Sequence, residues 1–296
     1  MPLRPAMELI TRARVEGYAV GYFESWNIES LQGVLDAAEK MLSPILVGIN
    51  GDFLSRSTRL ASERLAWHAA LYRAAAESSA VPCAVILNEC SNDIWIRQAV
   101  EMGFSLVMPD DPGADEEAFV RRVADLGRFA HSKGVAVEAE FGHLPCGVPD
   151  TLSNGEAELT DPDAAVRFVE STGIDLLAVS VGNVHIVLEG TRSLDIDRLR
   201  AIRRKVAVPF DLHGGSGIDA DSLRAAIRLG VAKVCYGTYV KQRYLDAVRR
   251  VLSADEMNPH KQLGCGGPED VLVAGRLAVR DAVLERIETL GCCDRA

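Results

Sequence analysis

The sequence lacks features that would mark several specialised classes of protein. No run approaches the roughly 20 apolar residues that a membrane-spanning helix needs, and the N-terminus has no uninterrupted apolar segment of the kind found in signal peptides. Acidic and basic residues are interleaved rather than grouped, and the net charge is −10. We therefore expect neither a membrane nor a nucleic acid as partner, because both carry negative charge.

The cysteines are few and scattered. Their number, seven, is odd, and no two have the spacing of a C-x-x-C pair. This favours reduced thiols over a disulfide framework and leads us to expect a cytoplasmic protein. No low-complexity linker divides the 296 residues. We therefore expect a single domain over 1–296, with a helical C-terminal tail at about 256–296.

What the sequence does contain is a regular alternation of two patterns. Short runs rich in valine, isoleucine and leucine recur and predict buried strands. They lie at 19–23, 44–49, 83–88, 105–110, 135–141, 176–182, 209–215 and 233–238. Between most of them, apolar residues spaced i, i+3, i+4 and i+7 predict amphipathic helices. The clearest examples are 28–42, 115–134, 193–206 and 219–230.

Eight strands alternating with helices are typical of a (β/α)8 barrel, the TIM barrel. The alternative is a doubly wound open sheet, which usually carries a glycine-rich phosphate loop after its first strand. Here the corresponding segment reads YFESWN. We therefore predict an α/β fold of the TIM-barrel type, in which active-site groups lie at the C-terminal ends of the strands.

Chemically active side chains are concentrated at the predicted strand ends. They are Glu24 after the first strand, Asn88 and Glu89 after the third, Asp110 at the fourth, Glu138 and Glu140 on one face of the fifth, His185 after the sixth, and Asp211 and His213 at the seventh. One histidine at such a position is usually structural. Two on successive strands, with acids beside both, favour a site for zinc or another first-row divalent ion.

A glycine-rich turn, HGGSG at 213–217, precedes the helix predicted at 219–230. Exposed amides at the start of a helix bind phosphate well, and TIM barrels often bind phosphate after strands seven and eight. A tight turn without a ligand explains the same residues. Both interpretations stay open from these residues alone.

Together these motifs resemble the class II, metal-dependent ketose-bisphosphate aldolases over nearly the whole chain. The similar segments are EGYAVGYF, VEAEFG, IDLLAVSVGNVH, LHGGSGI and LGVAKVCYGT. The resemblance implies reversible aldol cleavage of a phosphorylated ketose, with a divalent metal that polarises the ketone. Zinc is the first expectation for that metal, with manganese or iron as alternatives. A sugar-phosphate ligand and a homodimer or homotetramer are also implied.

The resemblance also implies roles for individual residues. His185 and His213 match two of the three catalytic metal ligands. Asp110 and Glu140 match acids that can hold the metal in an alternative position. Phosphate- and substrate-binding positions match Gly182, Gly214, Ser216 and Thr238.

The sequence departs from the family where the third strand ends. Asn88-Glu89 stands where the family has Asp-His, its proton-transferring acid and its first metal ligand. The formal charge of the pair is unchanged, and Glu89 with His185 and His213 still forms a two-histidine, one-carboxylate ligand set. An amide, however, cannot exchange a proton near pH 7, so Asn88 can only orient a substrate group.

Further departures surround the expected substrate. Cys235 replaces an asparagine that holds the substrate, Gly237 replaces a nearby aspartate, and Glu24 replaces an asparagine of the first loop. The loop after the fifth strand, where the family carries a proton-moving glutamate, offers only His143 and Asp150.

Some other group must therefore move the proton. The candidates are Glu24, Glu140, His143 and Asp211, and Glu24 is our first choice because a new carboxylate at a strand end has no evident packing role. A solvated loop acid remains the alternative for Glu24. Cys90 and Cys235 are less suitable as nucleophiles, because neither has an adjacent histidine and buried cysteines are usually inert.

Two main functional hypotheses follow. The first is a divergent metal-dependent lyase of the aldolase type, acting on a substrate other than fructose 1,6-bisphosphate. The second is a sugar-phosphate-binding subunit without turnover, and an isomerase or epimerase on the same scaffold is a further alternative. Retention of both histidines and of HGGSG favours the lyase.

Overall fold

The structure, a computed structural model, describes residues 2–111, 113–146, 158–252 and 256–296. Its strands, all parallel, are β1 (Val20–Glu24), β2 (Ile45–Asn50), β3 (Cys83–Cys90), β4 (Leu106–Pro109), β5 (Ala136–Phe141), β6 (Leu176–Val179), β7 (Phe210–Leu212) and β8 (Val231–Tyr236). They pair in chain order, and β8 also pairs with β1, so the sheet closes into a barrel. Asp150, which the loop after the fifth strand offers together with His143, lies outside the described residues.

Helices surround this barrel. Those of the described residues are α1 (Ala6–Glu16), α2 (Ile28–Lys40), α3 (Gly51–Ser55), α4 (Leu65–Ser78), α5 (Asp93–Glu101), α6 (Glu116–Ser132), α7 (Pro162–Thr172), α8 (Ile196–Arg203), α9 (Ala220–Arg228), α10 (Thr238–Val251), α11 (Pro259–Gln262) and α12 (Val271–Leu290). All eight predicted strands and the four predicted helices are present. The TIM-barrel prediction is confirmed.

The predicted boundaries differ from the structure mainly at strands six, seven and eight. Strand β6 ends at Val179, three residues before the predicted end at 182. Strand β7 ends at Leu212, because Gly214, with φ of 68°, turns the chain out of the sheet into a short 3-10 turn at Gly215–Gly217. Strand β8 ends at Tyr236, so Thr238 begins α10 instead of ending the strand. At β7 and β8 a glycine-containing segment that looks like the end of a strand forms the loop that borders the barrel mouth.

Helix starts are set by side-chain caps. Asn27 and Ser30 form a reciprocal capping box at the start of α2. Asp115 and Asp161 cap the first amides of α6 and α7, which satisfies N–H groups that have no partner within the helix. Gly173 ends α7 in the left-handed conformation that a helix end often requires. The local sequence therefore agrees with the global fold.

The barrel strands are buried on both faces. Six of them, all except β3 and β5, are buried at every position, as expected for a parallel sheet that is filled inside and covered by helices outside. Strand β3 is more exposed at Glu89, and β5 at Glu140 and Phe141. These openings lie at the C-terminal ends of the strands, where the polar residues are concentrated.

The C-terminal part of the chain packs on the barrel. Helix α12 lies against α2 and α10. This packing supports the proposed single domain over 1–296 with a helical tail from about 256, which stays a proposal. None of the described helices combines the length and the apolar character needed to cross a bilayer.

Candidate active site

Two adjoining cavities open at the C-terminal ends of the strands. The main cavity, of about 300 Å³, is lined from β1, β3 and β8 and from the loops after β6 and β7. The side cavity, of about 60 Å³, shares four lining residues with it: Asn50, Phe53, Glu89 and His185. The main cavity is large enough for a small-molecule ligand.

An irregularity in β3 directs two adjacent side chains into this mouth. The pairing of β3 with β4 shifts register between Leu87 and Cys90, and Glu89 has φ of 41°. Adjacent residues of a regular strand point to opposite faces, whereas a bulge re-aims one of them. Asn88 and Glu89 consequently both line the main cavity. Asn50 donates a hydrogen bond to Glu89 Oε2 and so holds the carboxylate in place.

Glu89, His185 and His213 converge at the mouth. Each offers one ligand atom, and these atoms all lie within 4.8 Å of one another. The two imidazole ring centroids are 5.7 Å apart, and the ring planes meet at 80°. His213 Nδ1 lies 2.5 Å from Glu89 Oε1. Two imidazoles and a carboxylate at these separations form a group that can hold a divalent metal ion.

The electrostatics of the three groups suit a cation. Burial would raise the pKa of Glu89, but His213, His185 and Lys233 hold that pKa at about 2, so the carboxylate is ionised. Burial lowers the pKa of His185, so its imidazole is neutral near pH 7. Burial opposes charge on His213 too, but its polar neighbours, Glu89 and Asp211 among them, raise its pKa well above the ordinary value. An arriving metal ion would replace that proton.

A charged network beneath the mouth orients His213. Its Nε2 lies 2.9 Å from Asp211 Oδ2 and 3.3 Å from Glu138 Oε1. Lys233 Nζ contacts the same two carboxylates, at 3.2 Å from Asp211 and 2.7 Å from Glu138. These four side chains are almost fully buried. Because Nε2 is engaged below, Nδ1 of His213 is directed toward Glu89.

Asp211, His213 and Cys235 form a second group of possible metal ligands. The ammonium group of Lys233 already lies against this group. Lys233 Nζ lies 3.2 Å from both Asp211 Oδ2 and Cys235 Sγ. Burial raises the pKa of the Cys235 thiol to about 12, so no thiolate is available at neutral pH. Burial likewise raises the pKa of Cys90 to about 12. This group does not fit a metal ion, and neither cysteine is an activated nucleophile.

The side cavity holds the two acids expected to serve an alternative metal position. Asp110 and Glu140 line it, together with His143. Burial and neighbouring carboxylates raise the pKa of Asp110 to about 7 and that of Glu140 to about 8. Carboxyl groups that disfavour each other's charge in this way attract a cation, which would restore their ionised forms.

On the opposite side of the main cavity, Glu24 is bound by a lysine. Lys241 Nζ lies 2.7 Å from each carboxylate oxygen of Glu24 and 4.6 Å from the centroid of the Phe53 ring. Burial raises the pKa of Glu24, and Lys241 opposes this. A Cβ at Gly237 would lie 2.6 Å from Glu24 Oε2. Glu24 therefore occupies volume that a side chain at position 237 would need.

The glycine turn after β7 forms one end of the main cavity. At Gly214 a Cβ would lie 2.2 Å from the carbonyl oxygen of Val184, so only glycine fits. Ser216 Oγ accepts a hydrogen bond from the N–H of Tyr239, in the first turn of α10. Gly214, Ser216 and Thr238 all line the cavity. The turn and the start of α10 thus face the same space.

Helix α9, which follows the turn, does not present free amides. Asp219 accepts hydrogen bonds from the N–H groups of Asp221 and Ser222, so a carboxylate already occupies that helix start. Helix α10 begins at Thr238, and its N-cap residue, Gly237, provides no side-chain cap. The phosphate interpretation of the turn therefore finds no free amides at the start of α9, and phosphate binding at this turn stays a prediction.

Comparison with known proteins identifies the family. A family model described as "Fructose-bisphosphate aldolase class-II" matches residues 4–295. The chain belongs to the class II fructose-bisphosphate aldolase family. It is 32% identical to a fructose-bisphosphate aldolase of Thermus caldophilus, with 98% of each chain covered. It is also 31% identical to a Bacillus subtilis (strain 168) protein described as a probable fructose-bisphosphate aldolase, over the full length of both.

Solved structures of aldolases have the same fold. The YdjI aldolase from Escherichia coli K12 superposes with a TM-score of 0.81 at 29% identity, with 99% of both chains covered. A fructose-bisphosphate aldolase from Campylobacter jejuni superposes with a TM-score of 0.77 at 22% identity, covering 98% of this chain and 95% of the other. At that identity the second similarity concerns the fold alone.

Membership of this aldolase family fixes the reaction class. The protein is an aldol-type lyase, and its family implies a sugar-phosphate substrate. The class II family is metal-dependent, and the described residues include a group that can hold a metal ion. The resemblance drawn from the sequence is confirmed.

The structure brings most of the predicted site residues of this aldolase to the two cavities. The main cavity is lined by Glu24, Asn88, Glu89, His185, His213, Gly214, Ser216, Cys235 and Thr238, and the side cavity by Asp110 and Glu140. Gly182 lines neither cavity; its Cβ position faces the carbonyl oxygen of Ser193 at 3.4 Å. The individual roles of these residues stay predictions.

The sequence analysis missed Lys233 and Lys241. Lys233 lies two residues before Cys235, so strand alternation places both on the inward face. A lysine on the inward face of a buried strand is the signal that would have found it. Lys241 lies in the first turn of a helix, where a lysine is usually solvated, and nothing in the sequence distinguishes it.

Proposed function

We propose that this protein is a metal-dependent lyase that reversibly cleaves a phosphorylated ketose, and that fructose 1,6-bisphosphate is not its preferred substrate. The observation that carries the proposal is the convergence of Glu89, His185 and His213 within 4.8 Å, in a cavity that ends at the glycine turn. The family supplies the reaction class. The exchanges at positions 24 and 88 support a changed substrate.

The ligand set suits zinc, with manganese or iron as alternatives. Glu89, His185 and His213 would hold the ion, and Asp110 with Glu140 would offer an alternative position. When bound, such an ion would polarise the ketone beside the bond that breaks. Glu89 contributes a negative charge. A metal ion held by this ligand set would therefore be a weaker Lewis acid toward the ketone than an ion held by three imidazoles.

Glu24 is the proposed base. In the cleavage direction the hydroxyl on the aldehyde-side carbon gives up its proton, the carbon–carbon bond breaks, and the aldehyde leaves. The electron pair of that bond passes to the ketone half, whose terminal carbon then takes up a proton and yields dihydroxyacetone phosphate. Lys241 holds both carboxylate oxygens of Glu24 at 2.7 Å, which orients the carboxylate and favours its ionised form.

The other candidate proton carriers are placed differently. Asp211 is enclosed by Lys233 and His213 and has no exposed surface. Glu140 and His143 face the side cavity, so Glu140 is proposed to serve the ketone half. Glu24 lines the main cavity itself, which supports its role at the aldehyde side.

Asn88 is proposed to orient substrate rather than to transfer protons. Its Oδ1 accepts a hydrogen bond from Lys233 Nζ at 3.4 Å, which leaves its NH2 group to donate to a substrate oxygen. A general acid or base typically contributes about 10²–10⁴-fold to the rate. Cleavage of fructose 1,6-bisphosphate should therefore be slow.

The phosphate is proposed to bind at the glycine end of the main cavity, at Gly214, Ser216 and Thr238. Ser216 bridges to α10 through Tyr239, so both halves of this end are held together. Gly182 and Cys235 remain predicted substrate-binding positions. The Cys235 thiol donates to Asp211 at 3.3 Å, which makes it a small packing group at the cavity wall.

Metal content and a half-reaction test the proposal. Elemental analysis of the purified protein should give close to one divalent ion per chain. Dihydroxyacetone phosphate in deuterated water should exchange its reactive proton, followed by proton NMR. A metal-free wild-type protein without exchange would contradict the lyase and favour a non-catalytic sugar-phosphate-binding subunit. Rapid cleavage of fructose 1,6-bisphosphate would contradict the role given to position 88.

We further propose a homodimer or homotetramer in the cytoplasm. The seven cysteines form no disulfide bond in the structure, which supports a reducing compartment. Light scattering after size exclusion would measure the oligomer, and a monomer at micromolar concentration would contradict that part.

A further inference from the structure

The start of α3 contacts the bulged end of β3, with residues 50–52 facing residues 89–91 in order. At the far end of this contact, Asp52 Oδ1 accepts hydrogen bonds from the N–H of Ser91 at 2.6 Å and from its hydroxyl at 2.7 Å. At the near end, the contact includes the carboxylate of the metal group. We call residues 50–52 the α3 clasp.

The middle of the α3 clasp leaves no room for a side chain. Gly51 is buried, and a Cβ there would lie 2.6 Å from Cβ of Cys90 and 2.7 Å from its Sγ. Gly51 is not among the glycines with positive φ, so glycine is needed here for close packing and not for an unusual backbone conformation. The α3 clasp and the bulge therefore touch at a distance that a methyl group would disturb.

Asn50 joins the two segments through both ends of its side chain. The residue is 7% exposed, and its Oδ1 caps α3 by accepting a hydrogen bond from the N–H of Phe53 at 3.0 Å. Its NH2 group donates to Glu89 Oε2. Because a carboxylate can only accept and a backbone N–H can only donate, these two partners fix the orientation of the amide.

Glu89 needs support of this kind because its backbone is strained. Its φ of 41° is uncommon for a residue other than glycine, and such conformations persist only where the surroundings fix them. The pairing of β2 with β3 ends at Asn50 and Asn88, one residue earlier. Asn50 binds Oε2 of Glu89, whereas Oε1 faces His213 Nδ1 at 2.5 Å. The contact that holds the carboxylate therefore leaves its other oxygen to an ion.

From these contacts we propose that the α3 clasp positions Glu89 as a metal ligand, and that Asn50 is the positioning residue. The inference rests on the metal group of the proposed function and deepens it. Without the Asn50 contact, ion binding would itself have to order the carboxylate, which lowers the affinity. Loss of a group that orients a metal ligand typically costs about 10–100-fold in affinity.

The first test is Asn50→Ser. The serine hydroxyl can still cap α3, but it lacks the NH2 group that donates to Glu89. Competition between the full-length protein and a chelating dye measures the zinc affinity, which should fall by about 10–100-fold. Asn258→Ser is the matched control and should bind zinc like the wild-type protein, because Asn258 caps the short helix α11 in the same way and lines neither cavity.

A spectroscopic measurement separates positioning from a merely structural role. At saturating cobalt, the visible absorption of the loaded protein reports the arrangement of the ligands around the ion. Asn50→Ser should change this spectrum, because the carboxylate of Glu89 is no longer held at one oxygen. Asn258→Ser should leave it unchanged, and circular dichroism checks that both variants are folded.

A change at the middle of the α3 clasp is an independent test. Gly51→Ala places a methyl group against Cys90 and should weaken zinc binding by about tenfold or more. Cys90→Gly removes the Cβ that this methyl would overlap. The double variant Gly51→Ala/Cys90→Gly should therefore bind zinc within about twofold of Cys90→Gly alone, which is the non-additive behaviour of two residues in contact.

The outcomes separate this inference from the proposed function. Zinc affinities that are equal in Asn50→Ser and Asn258→Ser, or an unchanged cobalt spectrum in Asn50→Ser, would overturn the inference and keep the lyase. A loss in Gly51→Ala that Cys90→Gly does not reduce would overturn it as well, and this pair decides if Asn50→Ser does not fold. A wild-type protein that binds neither zinc nor cobalt would overturn the metal-dependent lyase, and this inference with it.

Discussion

The two sides of the main cavity balance their charges in different ways. On the metal side, Glu89, His185 and His213 face one another with room for an ion, and the carboxylate depends on its neighbours' positive charge. On the β1 side, Glu24 is bound through both oxygens to Lys241, so the negative charge of the carboxylate is balanced by a cation of the protein itself. One side is built to receive a cation, whereas the other is complete without one.

This difference indicates which ligand charge each side of the main cavity favours. A set of groups that is unsatisfied on its own selects a ligand of the missing charge. A pair that is already satisfied rejects charge and leaves shape and hydrogen bonding to discriminate. The metal side therefore offers a place for the ion of the proposed reaction, whereas the β1 side needs no charged ligand to balance its own groups.

The largest expected effect is on the metal side. His213→Ala should lose the metal and all aldol cleavage, because it removes a ligand and leaves Asp211 and Glu138 without their imidazole. Elemental analysis after desalting measures the loss. His68→Ala, at a histidine that pairs with Glu63 outside the site, should keep the metal, and metal retained in His213→Ala would refute the ligand assignment.

On the β1 side, Glu24→Gln should lower kcat by about 10²–10⁴-fold while the metal stays bound, because the amide cannot take a proton. Steady-state cleavage of a phosphorylated ketose that the wild-type protein accepts measures it. Glu285→Gln, which changes a surface acid bound to Tyr239, is the control. Full activity in Glu24→Gln would remove Glu24 as the base.

Beneath the metal side, Asp211→Asn should weaken metal affinity by about 10–100-fold, because the carboxylate that orients the ligand His213 is lost. Competition with a chelating dye measures the affinity. Asp175→Asn changes a similar pair at the surface, 2.8 Å from His131, and should have no effect. An unchanged affinity in Asp211→Asn would show that the buried network is only structural.

The smallest effect is expected at the contact between the two changed positions. Gly237→Ala should lower the free energy of unfolding by about 1–3 kcal/mol, because its Cβ would overlap Glu24. Urea denaturation measures this, and Gly267→Ala, with open space around it, is the control. The double variant Glu24→Ala/Gly237→Ala should lose less than the sum of the single changes; strict additivity would mean that the two residues do not interact.

The sequence was sufficient to predict the barrel and the position of its mouth. The alternation of apolar runs and amphipathic helices reflects burial, which is a local property of each segment. The metal group could also be predicted from the sequence, because His185, His213 and Glu89 all follow strands whose C-terminal ends lie on the same side of the barrel.

The remaining features depend on contacts between residues far apart in the sequence, which the pattern of apolar and polar residues does not encode. The bulge that turns both Asn88 and Glu89 inward is a register shift between two strands. Lys233 and Glu138 lie 95 residues apart and meet only because the barrel closes. Lys241 could be assigned to Glu24 only once α10 was placed over β1. The capping of α9 by Asp219, in contrast, was readable from the aspartate before the helix.

The shared volume of Glu24 and Gly237 also constrains how this enzyme can be altered. A laboratory redesign that places a side chain at position 237 must shift or shorten residue 24, because a Cβ there would lie 2.6 Å from Glu24 Oε2. Mutational routes between this site and one with an acid at position 237 therefore involve both residues, and libraries that vary both positions together sample such combinations directly.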